Sequence, residues 1–201
     1  RICLWLLQCT LLITPTKNRD RGDPHRMRHS FTIAHTWNGE AVEEHEKVHV
    51  ELYPLDDGGL EVELSAPYHG DPPPEAEPGP LWGLWEHEVV ELFLVGADGT
   101  YLEAEFGPHG HHLLLRLSAP RQISEKELPA GYHATISGER WKARARISRN
   151  CIPSSVTRLN LFAIHGEAGG RRHLAWAPLP GAVPDFHQPA RFPEYQLFED
   201  T

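Results

Sequence analysis

From residue 27 onward the chain repeats one pattern: short runs in which apolar and polar side chains alternate, broken by glycine, proline and aspartate. A period of two is the signature of a strand with one face buried. It predicts strands at Val48–Tyr53, Leu60–Ala66, Val89–Val95, Tyr101–Phe106, His111–Leu117, Trp141–Ile147, Arg158–His165 and Glu194–Phe198, with a weaker one at His173–Ala177. Leu55–Gly59 and Gly96–Gly99 read as hairpin turns, with glycine where a positive φ is needed. Only Ser148–Ser155 suggests a short helix, and Pro153 limits it. Gly70–Pro80 is a proline-rich surface loop. Strands at this spacing with almost no helix predict an all-β sandwich or barrel.

The same alternation assigns faces. Val90, Leu92 and Leu94 share one side, with Leu102, Ala104 and Phe106 as their counterparts on the next strand. Glu91, Phe93, Tyr101, Glu103 and Glu105 share the other, a charged face mixed with aromatic rings on which a ligand can lie. Cross-strand ion pairs with Arg116, Arg144 and Arg146 are the ordinary explanation of such glutamates. Paired carboxyls also serve glycosidases, but residues two apart on a strand meet that spacing in many solvated sheets.

Residues 1–26 differ from the rest. An apolar run, Ile2–Ile13, precedes a polar and basic stretch, and the only methionine is Met27. The segment reads as a non-native extension or as a signal-like leader without a small-residue cleavage site. Residues 27–201 then form a single domain. Setting aside Arg1, Lys17, Arg19, Arg21, Arg26, Asp20 and Asp23 leaves 26 acidic and 14 basic residues there, where the full chain has 28 and 19. That balance argues against nucleic acid as a partner, because a phosphate backbone demands a basic stripe. No apolar run reaches the ~18 residues of a membrane span. The domain keeps a single cysteine, Cys151, which suits a cytoplasmic protein, whereas a genuine leader would imply secretion.

Histidines are abundant, 14 in the chain, and His109, His111 and His112 cluster in PHGHH. With nearby glutamates they are the candidate ligands of a metal site, and calcium or zinc is the candidate ion, although no third ligand at defined spacing completes a zinc set. Dinucleotide, phosphate-loop and serine-hydrolase signatures are absent.

The stretch Leu84–Gly110, LWEHEVVELFLVGADGTYLEAEFGPHG, resembles the central signature of family 9 carbohydrate-binding modules. The likeness continues weakly through Trp141–Ile147, RLNLFAIHG (158–166) and Asp185–Leu197. HTWNG (35–39), SAPYHGDPPP (65–74), LWEHEVVE (84–91), FGPHGHH (106–112), FAIHG (162–166) and PDFH (184–187) are closer still to uncharacterised protein family 0462. The resemblance implies a β-sandwich and a pair of rings that clasp a sugar, with Trp85 matching the first and Phe186 standing where the second would be. It implies that Glu91 accepts hydrogen bonds from sugar hydroxyls. Glu103 and Glu105 stand where the modules carry an amide and an arginine, so the hydroxyl pattern read here differs. The expected function is non-catalytic binding of a small polar ligand, a glycan first, through Trp85, Glu91, Glu103, Glu105 and Phe186, with no cofactor. The alternatives are a metal-dependent enzyme or metal-binding protein using the His109–His112 region, and a protein-interaction domain.

Overall fold

The computed structural model describes residues 27–198, so the candidate leader at 1–26 and its two cysteines lie outside the described residues. Two antiparallel sheets face each other. One has five strands in the order β1-β3-β4-β10-β9, and the other seven in the order β2-β12-β11-β5-β6-β7-β8. In the first sheet β1 is His29–Ile33, β3 Val48–Pro54, β4 Leu60–Pro67, β9 Ala130–Ser137 and β10 Arg140–Ile147. In the second, β2 is His35–Thr36, β5 Val89–Gly96, β6 Tyr101–Phe106, β7 His112–Ala119, β8 Gln122–Glu125, β11 Val156–His165 and β12 Arg172–Ala175. The fold is the expected all-β sandwich.

Between the sheets lies the main core. Val62, Leu64, Ala143 and Ala145 from one sheet meet Val90, Leu92, Leu102, Ala104, Leu159 and Leu161 from the other. These are the inward positions of the predicted alternation. Gly58 and Gly99 sit at φ 74° and 82°, closing the β3–β4 and β5–β6 hairpins where other residues would be strained.

Three departures from the expected elements have simple causes. Ala130–Ser137 is an edge strand whose inward residues, Ala130, Tyr132, Ala134 and Ile136, are only partly buried and include two alanines, so its alternation is faint. Glu194–Phe198 is not a strand. β12 occupies the flank of β11 only from Phe162 to His165, and the C-terminal segment reaches the remainder through Leu159 N–H to the Pro193 carbonyl and Tyr195 N–H to the Thr157 carbonyl. The suggested helix at 148–155 is a single 3-10 turn, Arg149–Cys151.

A third layer covers the outer face of the seven-stranded sheet. Leu179, Phe186 and Phe192 from the C-terminal segment, with Leu84 and Trp85, pack on Phe93, Tyr101, Leu115, Phe162 and Ile164. Buried Asn160 fastens this layer: its Oδ1 accepts from Ala177 N–H and its Nδ2 donates to the Ala177 carbonyl. Arg158 donates to the Phe192 carbonyl at 2.8 Å and pairs with Glu194.

Leu161→Ala, at the centre of the inter-sheet core, is expected to lower unfolding stability by about 3 kcal/mol. Lys142→Ala, on the exposed side of β10, is expected to stay within about 0.5 kcal/mol. Urea denaturation followed by circular dichroism measures both.

Candidate functional site

The glutamates of β5 and β6 face the third layer rather than water. Glu91 and Glu105 are directly opposite each other in the β5–β6 register, and Glu103 is opposite Phe93. Directly opposed residues on antiparallel strands bring their Cβ atoms to about 5 Å, so Glu91 and Glu105 cannot avoid each other. Glu91, Glu103 and Glu105 are all buried, Glu105 completely. Oε2 of Glu103 has no hydrogen-bond partner among the described residues, and Glu105 has only the backbone of Trp85 to favour its ionised form.

The arginines expected to neutralise them are elsewhere. Arg144 pairs with Glu63 and Arg146 with Asp57, all on the outward side of the five-stranded sheet or its turn. Arg116 shares its side of β7 with Leu114, the side opposite Leu115, and pairs with Glu125. The ion-pair expectation therefore fails for a geometric reason: period-two alternation directs these side chains to other faces. Burial is what sets the acids' protonation. It raises the pKa of Glu103 to about 8. It also lifts Glu91 and Glu105 well above the carboxylate range, and the neighbouring glutamates push both further in the same direction. Arg171 opposes the shift at Glu91.

Glu91 and Glu103 form part of the wall of a pocket of about 420 Å³ that also includes Trp82, Trp85, Leu115, Arg121, His173, Phe186 and His187. Four of the five sequence-selected ligand residues thus share one cavity, and Glu105, opposite Glu91, does not line it. Trp85 sits in the 3-10 turn Leu84–Glu86, entered through Gly83 at φ 85°. Arg171 clamps that turn from below, donating to the carbonyls of Trp85 and Glu86. Trp82 meets Trp85 edge to face at 5.0 Å. Phe186 is largely buried, with one face stacked on Phe162 at 3.9 Å. It therefore cannot offer two free faces, and its role is that of a rigid wall.

Sequence reasoning missed the polar end of the pocket. His187 Nδ1 is 2.8 Å from the Tyr101 hydroxyl, and its Nε2 is 4.0 Å from Glu103 Oε2. Burial, then Arg121, lowers the pKa of His187, so the ring is neutral at pH 7. Arg121 donates its N–H to the Tyr101 hydroxyl and its guanidinium to Asp185 at 2.9 Å. It does so at φ 60°, a left-handed conformation that a non-glycine residue adopts at a cost and that recurs at ligand sites. Of these, Asp185 and His187 stand in PDFH and Tyr101 falls on the polar face of the alternation, while Arg121 left no trace in the sequence.

The histidine cluster has a different task. His111 Nε2 is 2.9 Å from the Ala76 carbonyl, His109 Nε2 is 3.5 Å from the Tyr68 hydroxyl, and His112 packs on Tyr132. The backbone of His112 bonds to Gly79 and Leu81, which docks the proline-rich loop on β7. The three side chains reach three separate neighbours, and among the described residues no group of three or more His, Cys, Asp or Glu is placed to hold a metal ion. No helix among the described residues is long and apolar enough to cross a membrane.

Comparison with known proteins agrees with this geometry as far as fold and family. No family model matches the chain. The mouse UPF0462 protein C4orf33 homolog is 44% identical over 168 residues, covering 79% of this chain and 86% of that protein. The human UPF0462 protein C4orf33 is 41% identical, covering 78% and 82%, and the zebrafish homolog is 35% identical, covering 83% and 88%. Among solved structures, a "putative carbohydrate-binding protein" from Bacteroides uniformis superposes with a TM-score of 0.63 at 14% identity, over 84% of this chain and 85% of that one. At that identity the likeness is one of fold.

The buried acids make stability depend on pH with a definite sign. A carboxyl whose folded pKa is raised contributes stability that is complete below its unfolded pKa, about 4.3, and is lost as pH rises through the folded value. For Glu103 that window ends near pH 8. Relative to the parent, Glu103→Gln is expected to gain stability steadily between about pH 5 and pH 8. Denaturant midpoints across that range measure it, and parallel curves for the two proteins would contradict it.

Proposed function

The chain belongs to the UPF0462 protein family of C4orf33, and we propose that it is a non-catalytic binding protein for a small polar ligand, a carbohydrate. The observation that carries this reading is the joining of aromatic rings, two buried carboxyls and the unpartnered Oε2 of Glu103 in one cavity of about 420 Å³. That volume lies within the roughly 300–1,000 Å³ of small-ligand sites. Described residues with large, exposed apolar side chains support it too. Trp82, Ile123 and Val183 are 48%, 42% and 67% exposed. Two of them line this pocket and the third adjoins Pro184, which also lines it. Exposed apolar surface concentrated at the mouth of a cavity marks a contact surface.

In this reading Trp85 presents an apolar ring face to the apolar face of a pyranose, with Trp82 bracing it at the mouth and Phe186 closing the wall. The hydroxyls of the sugar turn toward Glu91, Glu103 and His187. A carboxyl that stays protonated near neutral pH both donates and accepts, as does a neutral imidazole, so hydroxyls of either sense find a partner. Arg121 and Asp185 hold each other and the Tyr101–His187 pair, which fixes the polar end before the ligand arrives. The soluble partner expected is therefore a small molecule or glycan.

Trp85→Ala tests the reading. In a tryptophan-fluorescence titration of the full chain against mono- and oligosaccharides, the parent is expected to show a saturable change. The folded variant is expected to bind at least about tenfold more weakly, the loss that corresponds to about 1.4 kcal/mol of stacking. A parent that responds to no sugar in the panel would overturn the reading.

A further inference from the structure

The polar groups around the pocket do not all find partners within the chain. Arg121 and Asp185 satisfy each other at 2.9 Å. Arg171 is committed to the carbonyls of Trp85, Glu86 and Gly166 under the 3-10 turn. His173 and His187 have lowered pKa values, chiefly through burial, and carry no charge at neutral pH. Tyr101 is pushed up to about 12 by burial and is likewise neutral. Glu91 and Glu103 stand in the wall and Glu105 opposite Glu91; Arg171 acts on Glu91 through its charge, and no cation of the chain is hydrogen-bonded to any of the three among the described residues. Glu103 Oε2, in particular, is buried and unpartnered in a residue that lines the cavity.

We infer that the ligand of this pocket is a sugar bearing a protonated amine, whose ammonium group is received by Glu91 and Glu103 beside the Trp85 ring. The inference rests on the carbohydrate reading above and narrows it. An ammonium supplies three donors to carboxyls that become acceptors only once ionised, and a hydroxyl supplies one. It also lets Glu103, which holds a proton in the free protein, ionise with an opposing charge in place, which a neutral ligand does not. The ring beside it adds a cation–π attraction. A metal ion would answer the same charge, but these carboxyls do not converge as a coordination set.

Two measurements on the full chain test this at pH 6.5, with glucose, glucosamine and N-acetylglucosamine as probes. Hydrogen bonds between charged groups are worth roughly 1.5–3 kcal/mol, and releasing the Glu103 proton below its pKa takes back a share, so glucosamine is expected to bind several-fold more tightly than glucose or its N-acetylated form. The ratio of glucosamine to glucose affinity is expected to collapse in Glu103→Gln. The second measurement needs no variant. Ammonium binding favours the ionised carboxyls, so titration calorimetry of the parent in buffers of differing ionisation enthalpy is expected to show net proton release for glucosamine alone. Equal affinity for glucose and glucosamine, or no proton release, would overturn the inference while leaving the carbohydrate reading standing. Binding of none of the three sugars would overturn both.

Discussion

The constraint on which the rest of the molecule depends is the burial of three glutamates on one face of a sheet with no cation hydrogen-bonded to them among the described residues. Strand geometry leaves the chain no choice about where Glu91, Glu103 and Glu105 point once Val90, Leu92, Leu102 and Ala104 have been committed to the inter-sheet core. Left bare, that face would be an ordinary solvated surface. Covered, it forces the carboxyls to hold protons or find a cation, because an ionised group in an apolar setting is costly. Everything on that side of the protein serves the covering: Asn160 grips the backbone of Ala177, Arg158 the carbonyl of Phe192, and Arg171 the turn that carries Trp85.

A stable sandwich would gain from apolar residues at these positions, so the buried acids cost stability that the main core must offset. Arg121, held in a left-handed backbone by its bonds to Tyr101 and Asp185, adds to that cost at the same end of the pocket. Such costs concentrated at one cavity, beside exposed tryptophan, are the physical mark of a site shaped for something other than folding. The C4orf33 relatives share the chain's length and sequence closely enough for the family, and the Bacteroides uniformis protein shares its architecture.

Much of this was legible in the sequence because period-two alternation is a local signal. It located seven of the long strands, and it separated Leu92 and Leu94 from Glu91 and Phe93 correctly. It could not reveal that the polar face is covered, since the cover is an irregular segment without periodicity, tied down by single residues such as Asn160 and Arg171. For the same reason Phe186 reads as a free ring in sequence and proves to be stacked on Phe162. The histidines of PHGHH look like ligands because of their density, yet their partners are Tyr68 and Ala76 in the segment after β4 and Tyr132 on β9. Glu91 and Glu103 were within reach of short-range alternation, and Trp85 was within reach through the family resemblance.

The account turns on the protonation of the acidic wall, and a carbon-13 titration of the glutamate side-chain carboxyls observes it directly. The side-chain resonances of Glu91, Glu103 and Glu105, assigned from single glutamine variants, are expected to stay unmoved through the ordinary carboxylate range near pH 4 to 5. Glu103 is then expected to titrate near pH 8, and the other two well above the ordinary range. Titration of all three around pH 4 would contradict the account, for it would mean that the third layer leaves these carboxyls open to water and charged.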